Sequence, residues 1–264
     1  MKAPALAVAL VSAAVLASAQ PAQERPTLLR DVGYDQRLGE QVPLDLVFRD
    51  EVGRLIPLRS LFRGRAMVLS LVYYQCPMLC TLTLNGLASA LSVLTFDVGK
   101  EFDVVTISID PRDTPRQAAE KREKYVKRYG RFGAATGWHF LTGPESAIRK
   151  ITAAAGFQYA YDIASNQFAH GTVLLVTTAD GRLSRYLFGF EYKARDLRLA
   201  LAEASQGKIG GAAEEVLLLC FHYDPATGKY SRSAMNFVRA GGVATVLCLG
   251  GFIVIMIRKE RQQR

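Results

Sequence analysis

The chain has 264 residues, of which 50% are hydrophobic and 22% are charged. This length and composition suffice for one or two domains with a substantial buried core. We interpret the formal net charge of +9 as a solvated basic surface, with anionic lipid headgroups or an acidic partner protein as the alternatives. Nucleic acid is excluded as a partner, because the N-terminal segment predicts export from the cytoplasm.

The first residues predict a secretory signal peptide over residues 1–19. Lys2 is followed by an apolar run from Ala3 to Leu16, and Ala17-Ser18-Ala19 forms an A-x-A cleavage site. An uncleaved membrane anchor is the alternative, although the run is short for a bilayer span. The main domain is expected over residues 27–206, in an oxidising compartment.

A second apolar run, from Ala240 to Ile257, carries no charge and reaches the length of a transmembrane helix. It predicts a C-terminal membrane span over 239–257, joined to the domain by a linker over 207–238. The basic tail over 258–264 predicts a cytoplasmic end. We therefore expect the main domain on the periplasmic side of a bacterial inner (cytoplasmic) membrane.

Strands and helices alternate through the main domain. In chain order, the pattern predicts a hairpin within Val42–Leu58, a buried strand Ala66–Val72, an amphipathic helix carrying Leu84, Leu87, Leu91 and Leu94, a strand Phe102–Ile109, a helix Pro115–Tyr129, a short strand Trp138–Leu141, a helix Pro144–Ala155, a loop through Tyr161 and Asn166, strands Thr172–Thr177 and Leu183–Phe188, and a helix near Ala194–Ser205. Thr114, Pro115 and Gln117 form a capping box at the start of one helix. This order predicts an α/β fold with a mixed central sheet and flanking helices.

Two cysteines stand where the buried strand leads into the first helix, in the stretch Tyr73-Tyr74-Gln75-Cys76-Pro77-Met78-Leu79-Cys80. Pro77 near the helix start places Cys80 in or near the first turn and Cys76 just outside it. The unpaired N–H groups and the dipole of a helix N-terminus favour thiolate over thiol. Residues four apart lie about one helical pitch from each other, so the two sulfurs can close a disulfide or bind one metal ion. A purely structural disulfide is the plain alternative.

The remaining cysteines leave an odd number in the exported part. Cys248 falls within the predicted span, which leaves Cys220 beside Cys76 and Cys80. In an oxidising compartment one thiol is then left over, or metal binding takes the place of disulfide formation.

Histidine supplies the other candidate ligand. His139, between Trp138 and Phe140, is predicted to be a packed or half-exposed strand residue, whereas His170 opens a strand that can face the cysteine junction. Two thiolates and one imidazole suit copper in either oxidation state and suit zinc less distinctively. The residues alone leave metal binding and pure redox chemistry open.

Two acidic residues follow the second buried strand. Asp110 and Asp113 suggest a carboxylate pair for acid–base chemistry, but Asp113 stands beside the predicted N-cap and Asp110 precedes Pro111 in a turn. We interpret both as turn and capping residues.

Several stretches in the same order resemble the Sco/SenC family of copper-binding cytochrome c oxidase assembly proteins. These are Cys76-Pro77-Met78-Leu79-Cys80 after an apolar strand, Ser108–Pro115 after the next strand, His170 before an apolar strand, Asp180-Gly181, and Tyr186–Gly189. The resemblance covers roughly Asp31 to Ser205.

The resemblance implies a thioredoxin-like fold with an N-terminal β-hairpin, and a copper site made by Cys76, Cys80 and His170. It implies a metallochaperone for Cu(I) or Cu(II) that helps to assemble the dinuclear copper centre of cytochrome c oxidase subunit II, or a related terminal oxidase. The alternative is an enzyme, a thiol–disulfide oxidoreductase that reduces the cysteines of an exported partner and does not depend on His170. Many members are anchored by an N-terminal helix, whereas the span predicted here is C-terminal.

One segment of the predicted linker, Val216–Tyr223, is too apolar to be a free tether. Its Cys220 and His222 lie two apart, so both side chains face the same way in an extended segment. In the simpler interpretation, this segment packs on the domain as an added strand and Cys220 is buried. The alternative is a secondary copper-holding or partner-docking point near the membrane.

Overall fold

The computed structural model describes residues 32–76, 79–210, 223–224, 229–230, 242–243, 245–251 and 258. The strands in these ranges are β1 (Gly33–Tyr34), β2 (Val47–Arg49), β3 (Leu55–Pro57), β4 (Ala66–Val72), β5 (Phe102–Ser108), β6 (Trp138–Leu141), β7 (Phe157–Asp162), β8 (Gln167–His170), β9 (Val173–Thr177), β10 (Leu183–Phe188), β11 (Tyr223–Asp224) and β12 (Lys229–Tyr230). The helices are α1 (Leu79–Ser92), α2 (Pro115–Tyr129), α3 (Ala134–Gly137), α4 (Glu145–Ala154) and α5 (Ala194–Ser205), with a 3₁₀ turn at Leu58–Leu61.

A mixed sheet of five strands forms the centre of the fold, in the order β10-β9-β4-β5-β6. Neighbouring strands β4, β5 and β6 are parallel, whereas β9 runs antiparallel to both β4 and β10. Every residue of β4, β5 and β9 is buried, which explains why these strands are apolar along most of their length. The predicted α/β fold with a mixed central sheet is confirmed.

Helix α2 has the bounds that its capping residues predict. Thr114 Oγ1 accepts a hydrogen bond from Gln117 N (3.4 Å), and Gln117 Oε1 accepts one from Thr114 N (2.6 Å). Pro115 occupies the first helical position, where its missing N–H has no partner to lose. Gly130 ends the helix with a φ of 72°, a left-handed conformation that glycine adopts without strain.

The predicted N-terminal hairpin is formed by β2 and β3 and lies at the β6 edge of the sheet. Asp50 shapes its turn, since Oδ1 accepts hydrogen bonds from Val52 N (3.0 Å) and Arg54 N (2.8 Å). Two backbone hydrogen bonds between Arg49 and Thr142 (2.7 and 3.0 Å) join the hairpin to the residue that follows β6. This contact covers part of a sheet edge that would otherwise present unpaired backbone groups.

The loop predicted through Tyr161 and Asn166 is instead a β-hairpin. Strands β7 and β8 pair antiparallel, and β7 also pairs with β1, so that a second sheet forms in the order β1-β7-β8. Its turn contains Asn166 with a φ of 56°, the one non-glycine residue with positive φ in the described part of the chain. Asparagine tolerates this conformation, but the turn lacks the Asn-Gly or Asp-Gly pair on which a hairpin prediction depends.

The prediction of a transmembrane helix over 239–257 is wrong. Among the residues that the structure describes, no helix is both long enough and apolar enough to cross a membrane. The longest of the described helices, Pro115–Tyr129, has 15 residues and is highly charged, whereas a span needs about 20 consecutive apolar residues. In the predicted span itself, helix is described only at 242–243 and 245–251.

Several other predictions fall outside the described residues. These are the signal peptide over 1–19, the cytoplasmic tail apart from Arg258, and the pair Cys220 and His222. In the predicted linker, β11 (Tyr223–Asp224) and β12 (Lys229–Tyr230) pair antiparallel.

Candidate metal centre

The loop after β4 carries the first predicted ligand. Tyr73 and Tyr74 follow the strand and are 4% and 3% exposed, and Cys76 is 8% exposed. Cys76 N donates a hydrogen bond to Tyr73 O (3.4 Å), which closes a turn between strand and helix. The two buried tyrosines therefore attach this loop to the core and place Cys76 just before α1, as predicted.

Cys80 is the second residue of α1. At this position the unpaired N–H groups and the dipole of the helix N-terminus favour a thiolate. The helix position agrees with the sequence prediction, while the side chain of Cys80 lies outside the described part of the structure.

His170 is the last residue of β8 and is 5% exposed, rather than the opening residue of the following strand. Its Nδ1 lies 2.6 Å from the carbonyl oxygen of Gly171. Because a carbonyl oxygen only accepts hydrogen bonds, this contact assigns the ring proton to Nδ1 and makes Nε2 the nitrogen with a lone pair for a metal. A metal-binding histidine commonly donates its other N–H to a backbone carbonyl in this way, which fixes the orientation of the ring.

Two features bring Cys76 and His170 to the same end of the central sheet. Strand β9 runs antiparallel to β4 with Ser70 opposite Leu174, so the start of β9 lies beside the end of β4. Tyr73 then contacts both candidates, because its ring meets that of His170 edge-on at 5.7 Å and its carbonyl oxygen accepts the Cys76 N–H. The structure therefore places the backbone of Cys76 and the imidazole of His170 beside one tyrosine.

Asp113 joins the cysteine loop to the turn after β5. Its carboxylate oxygen Oδ2 accepts hydrogen bonds from Tyr74 N (2.7 Å) and from Ser108 Oγ (2.5 Å). The residue is only 6% exposed, and Oδ1 has no hydrogen-bond partner among the described residues. Burial raises the pKa of the Asp113 carboxyl, against the lowering effect of these two hydrogen bonds.

The sequence predicts Asp113 as a turn residue beside a helix cap and does not reveal this contact. The sequence does contain one indication that Asp113 has another role. Thr114 is the N-cap of α2, so Asp113 is not needed for capping. The partner, Tyr74, lies 39 positions earlier in the chain, and no local pattern connects the two.

His139 lies in β6, away from these residues, and its side chain is 18% exposed. Its Nδ1 is 3.8 Å from Glu51 Oε1, and burial lowers the pKa of its imidazole. The prediction of a packed strand histidine is confirmed.

Among the described side chains, no group of three or more His, Cys, Asp and Glu could hold a metal ion. The predicted trio of Cys76, Cys80 and His170 includes one side chain outside that set, so it stays a prediction. The donor types do fit a soft metal, since two thiolates beside a helix N-terminus and an oriented imidazole suit Cu(I) and Cu(II).

The sequence from 48 to 205 matches the family model described as SCO1/SenC. A comparison with curated proteins found no match. Among solved structures, the chain is similar to a protein of Aquifex aeolicus VF5 assigned to electron transfer, with 25% identity, a TM-score of 0.57 and coverage of 65% of this chain and 96% of that one.

Two further structures share the fold. Arabidopsis thaliana ScoI with copper bound has 20% identity and a TM-score of 0.51, with coverage of 63% of this chain and 99% of that one. BsSco, described as a member of the Sco family of cytochrome c oxidase assembly proteins, has 19% identity and a TM-score of 0.50, with coverage of 66% and 99%. These similarities agree with the predicted thioredoxin-like architecture.

Proposed function

This chain belongs to the SCO1/SenC family, and from that premise we propose that it binds copper and helps to assemble cytochrome c oxidase. The observation that carries the proposal is the meeting of Cys76 and His170 at Tyr73, beside the helix turn that contains Cys80. Copper is the cargo in this function, and the protein supplies its ligands.

Each of the three ligands has a defined part. Cys76 and Cys80 bind the ion as thiolates, which the N-terminus of α1 favours. His170 binds through Nε2, because its Nδ1 proton is held by the Gly171 carbonyl (2.6 Å). Soft sulfur ligands suit Cu(I), and the added imidazole also suits Cu(II).

The proposal extends to a partner and a place of action. We infer that the receiving protein is subunit II of the oxidase, whose dinuclear copper centre the family resemblance implies as the target. We also infer that the domain acts outside the cytoplasm, on the periplasmic side of the inner membrane, on the basis of the signal-peptide pattern over residues 1–19.

The alternative function is thiol–disulfide exchange, which the same two cysteines support. In that reaction a Cys76 or Cys80 thiolate attacks a partner disulfide, and the second thiol then resolves the mixed disulfide. Two electrons and two protons pass to the partner, which leaves with two thiols, while a Cys76–Cys80 disulfide forms. This chemistry has no step that requires His170.

Copper loading of the purified full chain tests the proposal. We expect one copper per reduced chain, loss of stable binding in Cys76→Ser and in Cys80→Ser, and weaker binding with an altered Cu(II) spectrum in His170→Ala. The matched control is His139→Ala, which removes a histidine from β6 and leaves the copper stoichiometry unchanged.

The oxidised chain provides a second arm of the same experiment. A Cys76–Cys80 disulfide leaves no thiolate for the metal, so we expect no copper uptake until a reductant is added. Reduction of a partner disulfide that His170→Ala leaves unimpaired, together with no copper uptake by the reduced chain, would favour the oxidoreductase instead.

A further inference from the structure

We propose that Arg112 is a positioning residue that keeps His170 in place relative to Cys76. The consequence for copper rests on the proposed function, whereas the positioning itself rests on contacts within the described part of the chain. Arg112 lies in the turn after β5 and has no metal-binding atom, so it acts through the β7–β8 hairpin.

The hairpin that ends at His170 needs such support. Within the described residues, β8 pairs with β7 and β7 also pairs with β1, and this sheet is separate from the one that contains β4, which precedes the cysteine loop. The ladder of the central sheet brings the start of β9, at Val173, close to the end of β4, but it does not include the hairpin that ends at His170. Side-chain contacts between the hairpin and the rest of the domain are therefore needed to hold His170 at a fixed distance from Cys76.

On one side, Arg112 is attached to its own turn by Asp110. The guanidinium donates from Nε to Oδ1 (2.8 Å) and from Nη2 to Oδ2 (2.7 Å), a two-point contact, and Arg112 N also donates to Oδ1 (2.9 Å). Asp110 is 4% exposed and lies two residues after Ser108, the buried last residue of β5. The guanidinium plane is thus fixed relative to the central sheet.

On the other side, the same guanidinium contacts the hairpin at three residues. Nη1 donates to Asn166 Oδ1 (2.6 Å) and to Tyr161 OH (3.2 Å), and Tyr161 OH also donates to Asn166 Oδ1. The guanidinium carbon lies 5.2 Å from the centre of the Tyr161 ring and 5.6 Å from that of Phe168. Contact with the turn residue and with both strands makes Arg112 a bridge between β5 and the hairpin.

The bridge continues to the candidate ligand through two aromatic rings. Phe168 and His170 lie two apart in β8 and so face the same side of the hairpin. Both contact Tyr73, with ring centres 5.6 Å from Phe168 and 5.7 Å from His170. Since Tyr73 O also accepts the Cys76 N–H, movement of Phe168 away from Tyr73 moves His170 away from the cysteine loop.

Lysine cannot replace arginine in this role. A lysine keeps the positive charge, but it lacks the planar fork that contacts Asp110 at two points and stacks on the rings of Tyr161 and Phe168. Arg112→Lys is therefore the sharpest variant, because the net charge of the chain stays the same. The matched control is Arg116→Lys, which alters an 89% exposed side chain that pairs with Glu120 on the surface of α2.

The first measurement needs no copper. Hydrogen–deuterium exchange of the reduced, metal-free full chain is compared between wild type, Arg112→Lys and Arg116→Lys. We expect amides of residues 157–170 to exchange about tenfold faster in Arg112→Lys, with exchange in β4 and β5 unchanged, and no change in Arg116→Lys. Unchanged hairpin exchange, or equal acceleration throughout the chain, overturns the proposal.

The second measurement uses copper with His170→Ala as the reference. We expect Arg112→Lys to weaken Cu(II) binding about tenfold and to shift the Cu(II) spectrum towards that of His170→Ala, at one copper per chain. In the His170→Ala background the same substitution should have no further effect, since Arg112 acts through that histidine. Additive losses would mean that Arg112 acts elsewhere, which overturns the proposal.

The two measurements separate this inference from the proposed function. If the wild-type chain takes up no copper, the proposed function fails, and the exchange measurement still decides whether Arg112 holds the hairpin. A second variant, Asn166→Gly, removes one acceptor of Arg112 and favours the same backbone conformation, and we expect a smaller acceleration of exchange in residues 157–170.

Discussion

The carboxyl of Asp113 joins the turn after β5 to the loop that carries Cys76. It accepts the N–H of Tyr74 at 2.7 Å and is almost fully buried, and this burial raises its pKa above the ordinary value of 3.8. When folding raises the pKa of a carboxyl, the protonated carboxyl stabilises the folded state. This contribution is fully present at pH values below the ordinary pKa. That contribution is lost as the pH rises through the folded-state pKa, because the folded protein then holds a buried charge.

The replacement Asp113→Asn should remove this dependence on pH. The amide oxygen still accepts from Tyr74 and Ser108, but it carries no charge at any pH. We expect the free energy of unfolding of Asp113→Asn, relative to wild type, to increase between pH 4 and pH 7 in urea titrations. Glu120→Gln, on the exposed surface of α2, is the control. A difference that stays constant over this range would contradict a buried, titrating Asp113.

A side chain at the tip of the hairpin β2–β3 adds a second contact with the edge strand β6, beside the backbone hydrogen bonds of Arg49. Glu51 Oε1 accepts the backbone N–H of Phe140 at 2.7 Å and lies 3.3 Å from Arg122 Nε. The carboxylate is 11% exposed, so the N–H of Phe140 has little access to water as a substitute partner. Glu51 thereby satisfies an edge N–H that a free edge strand would expose.

Removal of this acceptor should loosen the edge. We expect Glu51→Ala to lower the free energy of unfolding by about 1–3 kcal/mol, because a buried donor loses its partner. Glu51→Gln keeps an acceptor oxygen and should cost less. Glu120→Ala removes only an exposed ion pair and should change stability by about 0–1 kcal/mol. Equal effects of Glu51→Ala and Glu120→Ala in urea unfolding would rule out a role for Glu51 at the edge.

The elements that the sequence predicts well are those whose signals are local. Helix α2 has its capping box within four residues, and β10 has a turn at Asp180-Gly181 before it, so both have the predicted bounds. The β7–β8 hairpin escapes prediction because its first strand pairs with β1, over 120 positions earlier in the chain, at Tyr34 and Phe157. Its turn also lacks a glycine next to Asn166, which itself adopts the positive φ.

The candidate site likewise has features that the sequence predicts and features that it does not. The spacing of Cys76 and Cys80 at a strand–helix junction is visible in the sequence, and so is His170 near a strand. The supports of these residues are not visible, since Asp113 contacts Tyr74 and Arg112 contacts Asn166, 39 and 54 positions apart. The first contact depends on the parallel pairing of β4 with β5, and the second on the packing of the β7–β8 hairpin against the turn after β5, and both arise only in the folded domain.

At the scale of the whole domain, segments near the two ends of residues 32–210 meet on the edge strand β10. Gly39 N donates to Leu183 O (2.8 Å) and Leu183 N donates to Glu40 O (2.9 Å), while Gly210 N donates to Ser184 O (2.9 Å). The family match from 48 to 205 includes none of the donor and acceptor groups on these end segments. A fragment cut at the family boundaries would therefore expose an edge that the longer chain covers.

The stability of fragments of the domain should depend on whether they keep these two end segments. We expect residues 32–210 to form a stable domain. Removal of residues 32–43, or of residues 207–210, should lower its free energy of unfolding by about 1 kcal/mol or more, because buried backbone groups of β10 then lose their hydrogen-bond partners. Removal of both segments should also favour aggregation through the uncovered strand, because an exposed edge pairs with other chains. Urea unfolding and light scattering of four fragments, 32–210, 44–210, 32–206 and 44–206, measure these effects. The singly shortened fragments serve as controls for the doubly shortened one. If the fragment 44–206 unfolds at the same urea concentration as 32–210 and stays monomeric, the two end segments do not protect β10, and the domain is closed by its central sheet alone.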